Sequence, residues 1–167
     1  MINLDPATKC RPSRSLLLPP GTDARRRATS ITEAVQDAVR RVNDNDLRRV
    51  ARVDAGLAYQ PKILLSIVAY CYAWEVYGSE DIEGWMRRDA LFRKACRGEF
   101  PDARLLRSFR RHNSAAIEQC LAAALRWLAQ NSGMAPEMTA DEDRFTAEAQ
   151  HRLEMARFID CLELDGD

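Results

Sequence analysis

Apolar residues recur along this chain at intervals of three and four positions, which is the spacing of an amphipathic helix. Ser30 and Glu33 have capping-box spacing at the start of a first helix, and Thr139 and Glu142 have it at the start of a last one. The breaks between helical segments carry helix-cap residues, and no group of alternating strand patterns occurs. The sequence therefore predicts an all-α protein folded as a compact helical bundle.

The most apolar of these segments runs from Pro61 to Tyr77. Pro61 suits the first turn of a helix, where its missing N–H costs nothing, and Gly78 is the expected end. A helix that is apolar on nearly all sides is surrounded by other elements, so this segment is predicted to be the central helix. Its densest apolar run, residues 63–73, is too short to span a bilayer, so we expect no membrane partner.

Shifts in composition divide the chain of 167 residues into four predicted parts. The first is rich in proline and contains a run of three arginines, and this composition is typical of a disordered basic arm. A segment with glycine and proline later in the chain is typical of a linker. The predicted parts are a basic arm over residues 1–28, a helical domain over residues 29–131, a linker over residues 132–138, and an acidic C-terminal helix and tail over residues 139–167.

Charge is balanced over the whole chain, with 25 basic and 25 acidic residues, but it is not balanced along it. Basic residues dominate from Trp85 to His112, and acidic residues dominate after Pro136. A basic segment of this kind is compatible with contact to nucleic acid and equally with a solvated helix face. Charge alone leaves both interpretations open.

No arrangement of residues indicates catalysis. The chain has no phosphate-binding loop, no nucleotide-binding glycine motif and no zinc-protease motif, and its two histidines belong to different predicted helices. The acidic residues after Ser79 are explained by the preference of anions for a helix N-terminus. We therefore expect no enzyme activity, no catalytic residue, no metal and no cofactor.

The five cysteines form no CxxC pair, which predicts reduced thiols in a cytoplasmic protein. Four cysteines with apolar neighbours are predicted core residues: Cys71, Cys96, Cys120 and Cys161.

The most informative segment is a short helix that Asp102 is predicted to cap. Arg104, Arg107 and Arg111 follow the spacing i, i+3, i+7 and share one face of this helix, with Arg110 flanking them. Guanidinium groups on such a face can reach DNA phosphates or guanine edges. A surface helix whose arginines pair with nearby carboxylates would show the same spacing, so the pattern alone leaves both interpretations of these four arginines open.

The opposite face of the same helix carries Leu105, Phe109 and His112, with Leu106 at its border. Phe109 and Leu105 are the residues expected to anchor the helix. Two short helices are predicted upstream, Ser79 to Arg88 and Asp89 to Cys96, and they are joined by a short turn. This layout is compatible with a helix-turn-helix-like DNA-binding unit.

Four motifs follow one another in the middle of the chain: YQPKILLSIVAYCYA at Tyr59–Ala73, YGSEDIE at Tyr77–Glu83, RDALFRKACRG at Arg88–Gly98 and PDARLLRSFRRHN at Pro101–Asn113. In the order and spacing of these motifs, the chain resembles the N-terminal domain of bacterial insertion-sequence transposases of the IS5 and IS1182 type.

The resemblance implies a helical, DNA-contacting protein of transposon ancestry that is associated with the bacterial nucleoid. It also implies that the DNA-binding residues are the four arginines of the short helix, Arg104, Arg107, Arg110 and Arg111. In that family, catalysis belongs to a separate ribonuclease-H-like domain with two metal ions. No strand-rich region follows the matching motifs here, so we expect a stand-alone protein without strand-transfer activity. The expected partners are DNA and either another copy of the chain or a separate catalytic transposase chain.

A second interpretation is a helical protein–protein interaction or dimerisation module, such as a regulator derived from a truncated transposase. Its working surface would be the acidic C-terminal helix. The arginines near residue 107 would then pair with Glu99, Glu118 or that helix, as an ordinary surface face does. A remnant without function is a third interpretation that the sequence leaves open.

Overall fold

The computed structural model describes residues 24–50, 60–88, 100–131 and 142–165. Within these ranges the chain forms only helices and connecting segments, which confirms the predicted all-α bundle. The helices are α1 (Ala24–Arg41), α2 (Pro61–Ala73), α3 (Ser79–Arg88), α4 (Ala103–His112), α5 (Ser114–Asn131) and α6 (Glu142–Asp165), and a 3₁₀ turn occupies Asp44–Asp46.

Helix α5 lies at the centre of the bundle and packs against α1, α2, α4 and α6. Four alanines on α5 are buried: Ala116, Ala122, Ala124 and Ala129. Their short side chains let the axes of neighbouring helices approach closely. Helix α2 is also buried along most of its length and packs against α1, α4 and α5. The apolar sequence of α2 correctly indicated burial, but the helix with the most neighbours is α5.

Helix α2 ends four residues earlier than its apolar sequence predicts. The Val76 N–H donates to the Cys71 carbonyl at 2.9 Å and the Glu75 N–H donates to the Tyr72 carbonyl at 3.1 Å, which is the Schellman pattern of helix ends. Glu75 takes the left-handed conformation, with φ of 63°. Glycine normally fills this position, so Gly78 was the wrong residue from which to infer the end of α2.

The start of the chain also differs from the prediction. Helix α1 begins at Ala24, so residues 24–28 are helical and do not belong to the predicted arm. Ser30, predicted to begin this helix, therefore lies inside it. The sequence also favours a short helix from Asp46 to Val53, but residues 44–46 form the 3₁₀ turn and residues 47–50 are not helical, while residues 51–53 lie outside the described ranges. In the turn, the Asn43 side chain accepts from the Asn45 N–H at 3.1 Å. Residues 1–23 lie outside the described ranges.

Helix α6 completes the same hydrophobic core as the helices before it. Four apolar residues spaced along one face of this helix point inward, Phe145, Ala149, Leu153 and Ala156, and Ile159 on the same face is half-buried. The sequence assigned this helix to a part separate from the domain of residues 29–131. In the structure its packing against α5 makes it part of that domain's core, whereas residues 132–138 lie outside the described ranges.

A buried arginine ties α6 to the end of α2. Arg152 donates to the carbonyl oxygens of Tyr72 at 2.8 Å and Ala73 at 3.3 Å. Its remaining donors face Glu148 at 2.6 Å and Glu75 at 3.5 Å. The Tyr72 carbonyl already accepts from the Glu75 N–H, so Arg152 is its second donor. Carbonyl groups in the last turn of a helix lack α-helical partners, and Arg152 supplies one to Ala73 from another helix.

Across the described part of the chain, no helix combines the length and the apolar character that a membrane span requires.

Candidate nucleic-acid interface

Helix α4 carries the predicted DNA-binding arginines, and its start is fixed by two carboxylates. The Asp102 side chain accepts from the Leu105 N–H at 2.8 Å, which confirms the predicted cap. Glu83, on α3, accepts from the Ala103 N–H at 2.8 Å. Leu105 and Phe109 are buried in the core, so the predicted anchor residues do hold this helix.

Three of the four predicted arginines lie on the side of α4 that faces away from the core. Arg104 and Arg111 are exposed. The Arg107 side chain is 17% exposed, and its guanidinium lies 3.9 Å from a carboxylate oxygen of Glu80 on α3. The i, i+3, i+7 spacing therefore identified one real face of the helix.

Arg110 does not belong to that face, and its assignment as a DNA-binding residue is wrong. Only 6% of this residue is exposed. Its guanidinium donates to Asp160 on α6 and, at 3.0 Å, to the Tyr72 hydroxyl on α2. A nucleic acid cannot reach it without opening the core. Leu106, expected at the border of the apolar face, is buried next to it, and His112, expected on the apolar face, is exposed.

Asp160 is the centre of a buried polar network that joins three helices. One carboxylate oxygen accepts from the Ser79 N–H and the other from the Ser79 hydroxyl, each at 2.9 Å. The same carboxylate pairs with Arg110. At the start of α3 the acceptor is therefore the Asp160 carboxylate on α6 and not the Ser79 side chain. Burial raises the pKa of Tyr72 despite the opposing effect of Arg110.

The structure describes two of the alternative partners that the sequence indicates for these arginines, Glu118 and the acidic C-terminal helix. Glu118 accepts from the Gln150 side chain at 3.0 Å, and Glu99 lies outside the described ranges. The acidic C-terminal helix does supply a partner, but it supplies Asp160 to the buried Arg110 and not to the outward arginines.

Asn113, between α4 and α5, brings a second basic segment to the end of α4. Its side-chain oxygen accepts from the Arg48 N–H at 2.7 Å, and its side-chain nitrogen donates to the Arg48 carbonyl at 3.1 Å. Arg48 and its neighbour Arg49 are exposed. Sequence reasoning missed both arginines because their residues are separated from α4 by more than fifty positions. The only local sign of this contact in the sequence was Asn113, an asparagine directly after a basic helix.

The acidic residues at the start of α3 have structural contacts. Glu83 binds the start of α4 and also pairs with Arg87 at 2.8 Å, one helical turn away. Helix α3 packs directly against α4. The second helix of the predicted helix-turn-helix unit, Asp89 to Cys96, falls outside the described ranges, so that unit stays a prediction.

Two cysteine thiols of the described residues are in the core, and one is not. Cys71 and Cys120 are buried as predicted, and burial raises the pKa of Cys120 to about 12. Cys161 is exposed on α6, which corrects its assignment to the core. No group of three or more histidine, cysteine or acidic side chains is arranged to hold a metal ion in the parts of the chain that the structure describes.

Comparison with known proteins adds no relative. No protein-family model, no curated protein and no solved structure matches the chain. The transposase resemblance therefore depends on the four sequence motifs alone.

Proposed function

We propose that this chain is a transposase-derived DNA-binding protein and that Arg104, Arg107 and Arg111 contact the duplex. The observation that supports the proposal is the asymmetry of α4. Its inward side is fixed by buried Leu105 and Phe109, while its outward side carries arginines at the surface. Arginines on a rigid helix lose less conformational freedom on binding a phosphate than arginines on a loose segment.

The contact between Arg107 and Glu80 does not prevent this role. The two charged groups are 3.9 Å apart and Glu80 is 58% exposed, so water screens their attraction. A long ion pair with one exposed partner contributes little, so a phosphate can compete with Glu80 for the Arg107 guanidinium.

Arg48 and Arg49 extend the same basic surface in this proposal. The Asn113 side chain holds the backbone of Arg48 next to the end of α4, two residues after Arg111. A protein that follows a DNA backbone needs several cations on one side, because each phosphate contact adds a similar increment of affinity. The proposal assigns strand-transfer chemistry to another chain or domain and a nucleoid-associated, cytoplasmic location to this protein.

The experiment is a salt titration of affinity for duplex DNA. Glutamine at positions 104, 107 and 111 keeps helix propensity and length while removing the charge. Affinity falls as salt rises, so the slope of log affinity against log salt is negative. If all three arginines meet phosphates, the magnitude of this slope should be smaller in the triple variant by up to about 2.7, because each contact contributes about 0.9. Unchanged affinity and slope in a folded triple variant would contradict the proposal.

A matched control removes three exposed arginines from other helices, Arg40 and Arg41 on α1 and Arg144 on α6. This variant has the same net charge as the α4 triple variant. If both triple variants weaken binding equally, the protein binds DNA through its overall charge, and α4 is not a dedicated surface. Only a selective effect of the α4 variant supports the proposal.

The second candidate function, a protein–protein interaction module, has one observation in its favour. Phe158 and Leu162 on α6 are 60% and 58% exposed, although both are large apolar residues. Exposed apolar side chains do not contribute to binding phosphates, whereas they are typical of protein–protein contacts.

A further inference from the structure

Helix α6 has a second apolar stripe on the side that faces away from the core. Three apolar residues, Met155, Phe158 and Leu162, form this stripe, and His151 continues the row; the four positions are hereafter the outer stripe. Intervals of four, three and four residues separate these positions, which is the spacing of one seam in a coiled coil. Helix α6 therefore has the pattern of a helix that packs against the core on one side and against another helix on the other.

The exposure of the outer stripe is unusual within this protein. In the described ranges only three large apolar residues are exposed, Ile63 at 42%, Phe158 at 60% and Leu162 at 58%. Two of the three, Phe158 and Leu162, lie one turn apart on α6. Met155, which is half-buried, lies in the same row. Scattered single apolar residues are ordinary on a protein surface, whereas a contiguous row of them marks a contact surface.

We propose that the outer stripe pairs with the outer stripe of a second copy of this chain, with the two α6 helices antiparallel. When Met155 lies opposite Phe158 of the second copy, His151 lies opposite Leu162 of the second copy. All four stripe positions then pair in both directions. A contact between two identical surfaces related by a twofold axis requires this kind of self-complementary register.

Charge supports the same register. Glu154 and Arg157 are both exposed on one flank of the outer stripe. In an antiparallel pair the same flanks face each other, and the register above brings Glu154 within about 3 Å, measured along the axis, of the level of Arg157 in the second copy. The twofold axis generates this ion pair twice. A foreign helix would have to supply both the apolar row and the two charges, whereas a second copy already has them.

The first test measures mass in solution as a function of protein concentration. We expect a dimer, and the double variant Phe158→Ser, Leu162→Ser should raise its dissociation constant by more than about a hundredfold, because each buried apolar side chain contributes at least about tenfold. Both side chains are exposed in the single chain, so the melting temperature of the dilute double variant should not fall. The control Ile63→Ser alters the third exposed apolar residue, on α2, and should leave the dimer intact.

A wild-type protein that stays monomeric at all concentrations would overturn the proposal. So would a dimer that the double variant leaves unchanged. None of these measurements involves DNA, so the result is independent of the proposed DNA-binding function.

The second test concerns orientation. Glu154→Arg and Arg157→Glu should each weaken the dimer, and the two changes combined in one chain should restore it, because the ion pairs are then re-formed with exchanged signs. In the proposed register two Cys161 residues are separated by about 13 Å along the axis, too far for a disulfide. Failure of the combined variant to restore the dimer, or a rapid disulfide between two Cys161 residues, would overturn the antiparallel register.

Discussion

Arg110 on α4 and Asp160 on α6 form a buried ion pair between two residues that are 50 positions apart in the chain. Their side chains are only 7% and 4% exposed. Taking two charges out of water costs several kcal/mol per ion, so the pair is tolerated because further polar groups, the Tyr72 hydroxyl and Ser79, surround it. The pair links the helix proposed to contact DNA to the helix proposed to form the dimer.

The first prediction concerns the energy of this pair. Asp160→Asn leaves the Arg110 guanidinium buried without a counter-charge, so the free energy of unfolding should fall by about 3–5 kcal/mol. Arg110→Met should be costly for the converse reason, because Asp160 then stays buried and charged. Urea unfolding of each variant measures the loss.

The double variant Arg110→Met, Asp160→Asn separates charge burial from packing. It contains neither charge, so its loss of stability should be clearly smaller than the sum of the two single losses. Because Arg110 is buried, folded Arg110→Met should also bind DNA with the salt dependence of the wild type. Additive losses, or a reduced salt dependence, would contradict the assignment of Arg110 to the core.

The different outcomes for Arg110 and its neighbours show which features the sequence determines locally. Helical spacing was sufficient to find the face shared by Arg104 and Arg111, and the cap at Asp102 was recognisable because its partner is three residues away. Spacing did not reveal that Arg110 is buried, because the reason is a carboxylate on a helix far along the chain. Contacts within one turn can be inferred from one sequence, whereas long-range polar partners cannot.

The end of α2 shows the same limit for backbone conformation. Glycine is the usual residue in a left-handed helix end, and this criterion favoured Gly78 over Glu75. The structure uses Glu75, whose carboxylate lies 3.5 Å from the guanidinium of Arg152. An interaction with another helix therefore accompanies a conformation that the local sequence does not favour.

The second prediction separates these two contributions at Glu75. Glu75→Gln keeps the left-handed strain and removes the charge that faces Arg152, so it should be destabilising. Glu75→Gly removes the same charge but also the strain, so it should be more stable than Glu75→Gln by about 1 kcal/mol. Thermal unfolding of the two variants compares them directly. A glycine variant less stable than the glutamine variant would mean that the strain at this position is negligible.

The third prediction concerns alkaline pH. Burial raises the pKa of Cys120 from 9.0 to about 12. Below pH 9 the thiol is protonated in both states, and between about 9 and about 12 only the unfolded state ionises, so stability is lost as pH rises through this window. Tyr77, whose pKa burial raises from 10.0 to about 12, acts in the same direction.

Urea midpoints measured at increasing pH test this, with Cys120→Ala as the comparison. The alanine variant has no thiol to ionise, so its midpoint should fall less steeply above pH 9 than that of the wild type. Parallel curves for the two proteins would indicate that Cys120 is solvated or ionised in the folded state.

The last prediction concerns the removal of α6. The opposite charges of the two segments suggest a hypothesis in which the acidic C-terminal helix packs near the arginine helix and competes with DNA. A chain ending at Ser132 would then bind DNA more tightly, provided that it stays folded. The structure argues against this experiment, because α6 contributes four buried apolar residues, from Phe145 to Ala156, to the core. Its loss also leaves Arg110 without Asp160. Deleting one large buried side chain costs about 2–5 kcal/mol, and the free energy of unfolding of a whole domain is about 5–15 kcal/mol.

The shortened chain should therefore lose its cooperative thermal transition, as followed by circular dichroism. A synthetic peptide of residues 139–167 should restore that transition when added, and a peptide with Asp160→Asn should restore it less well, because it lacks the charge that Arg110 requires. A shortened chain that unfolds cooperatively without the peptide would show that α6 is dispensable for the fold and would return the competitor interpretation to consideration.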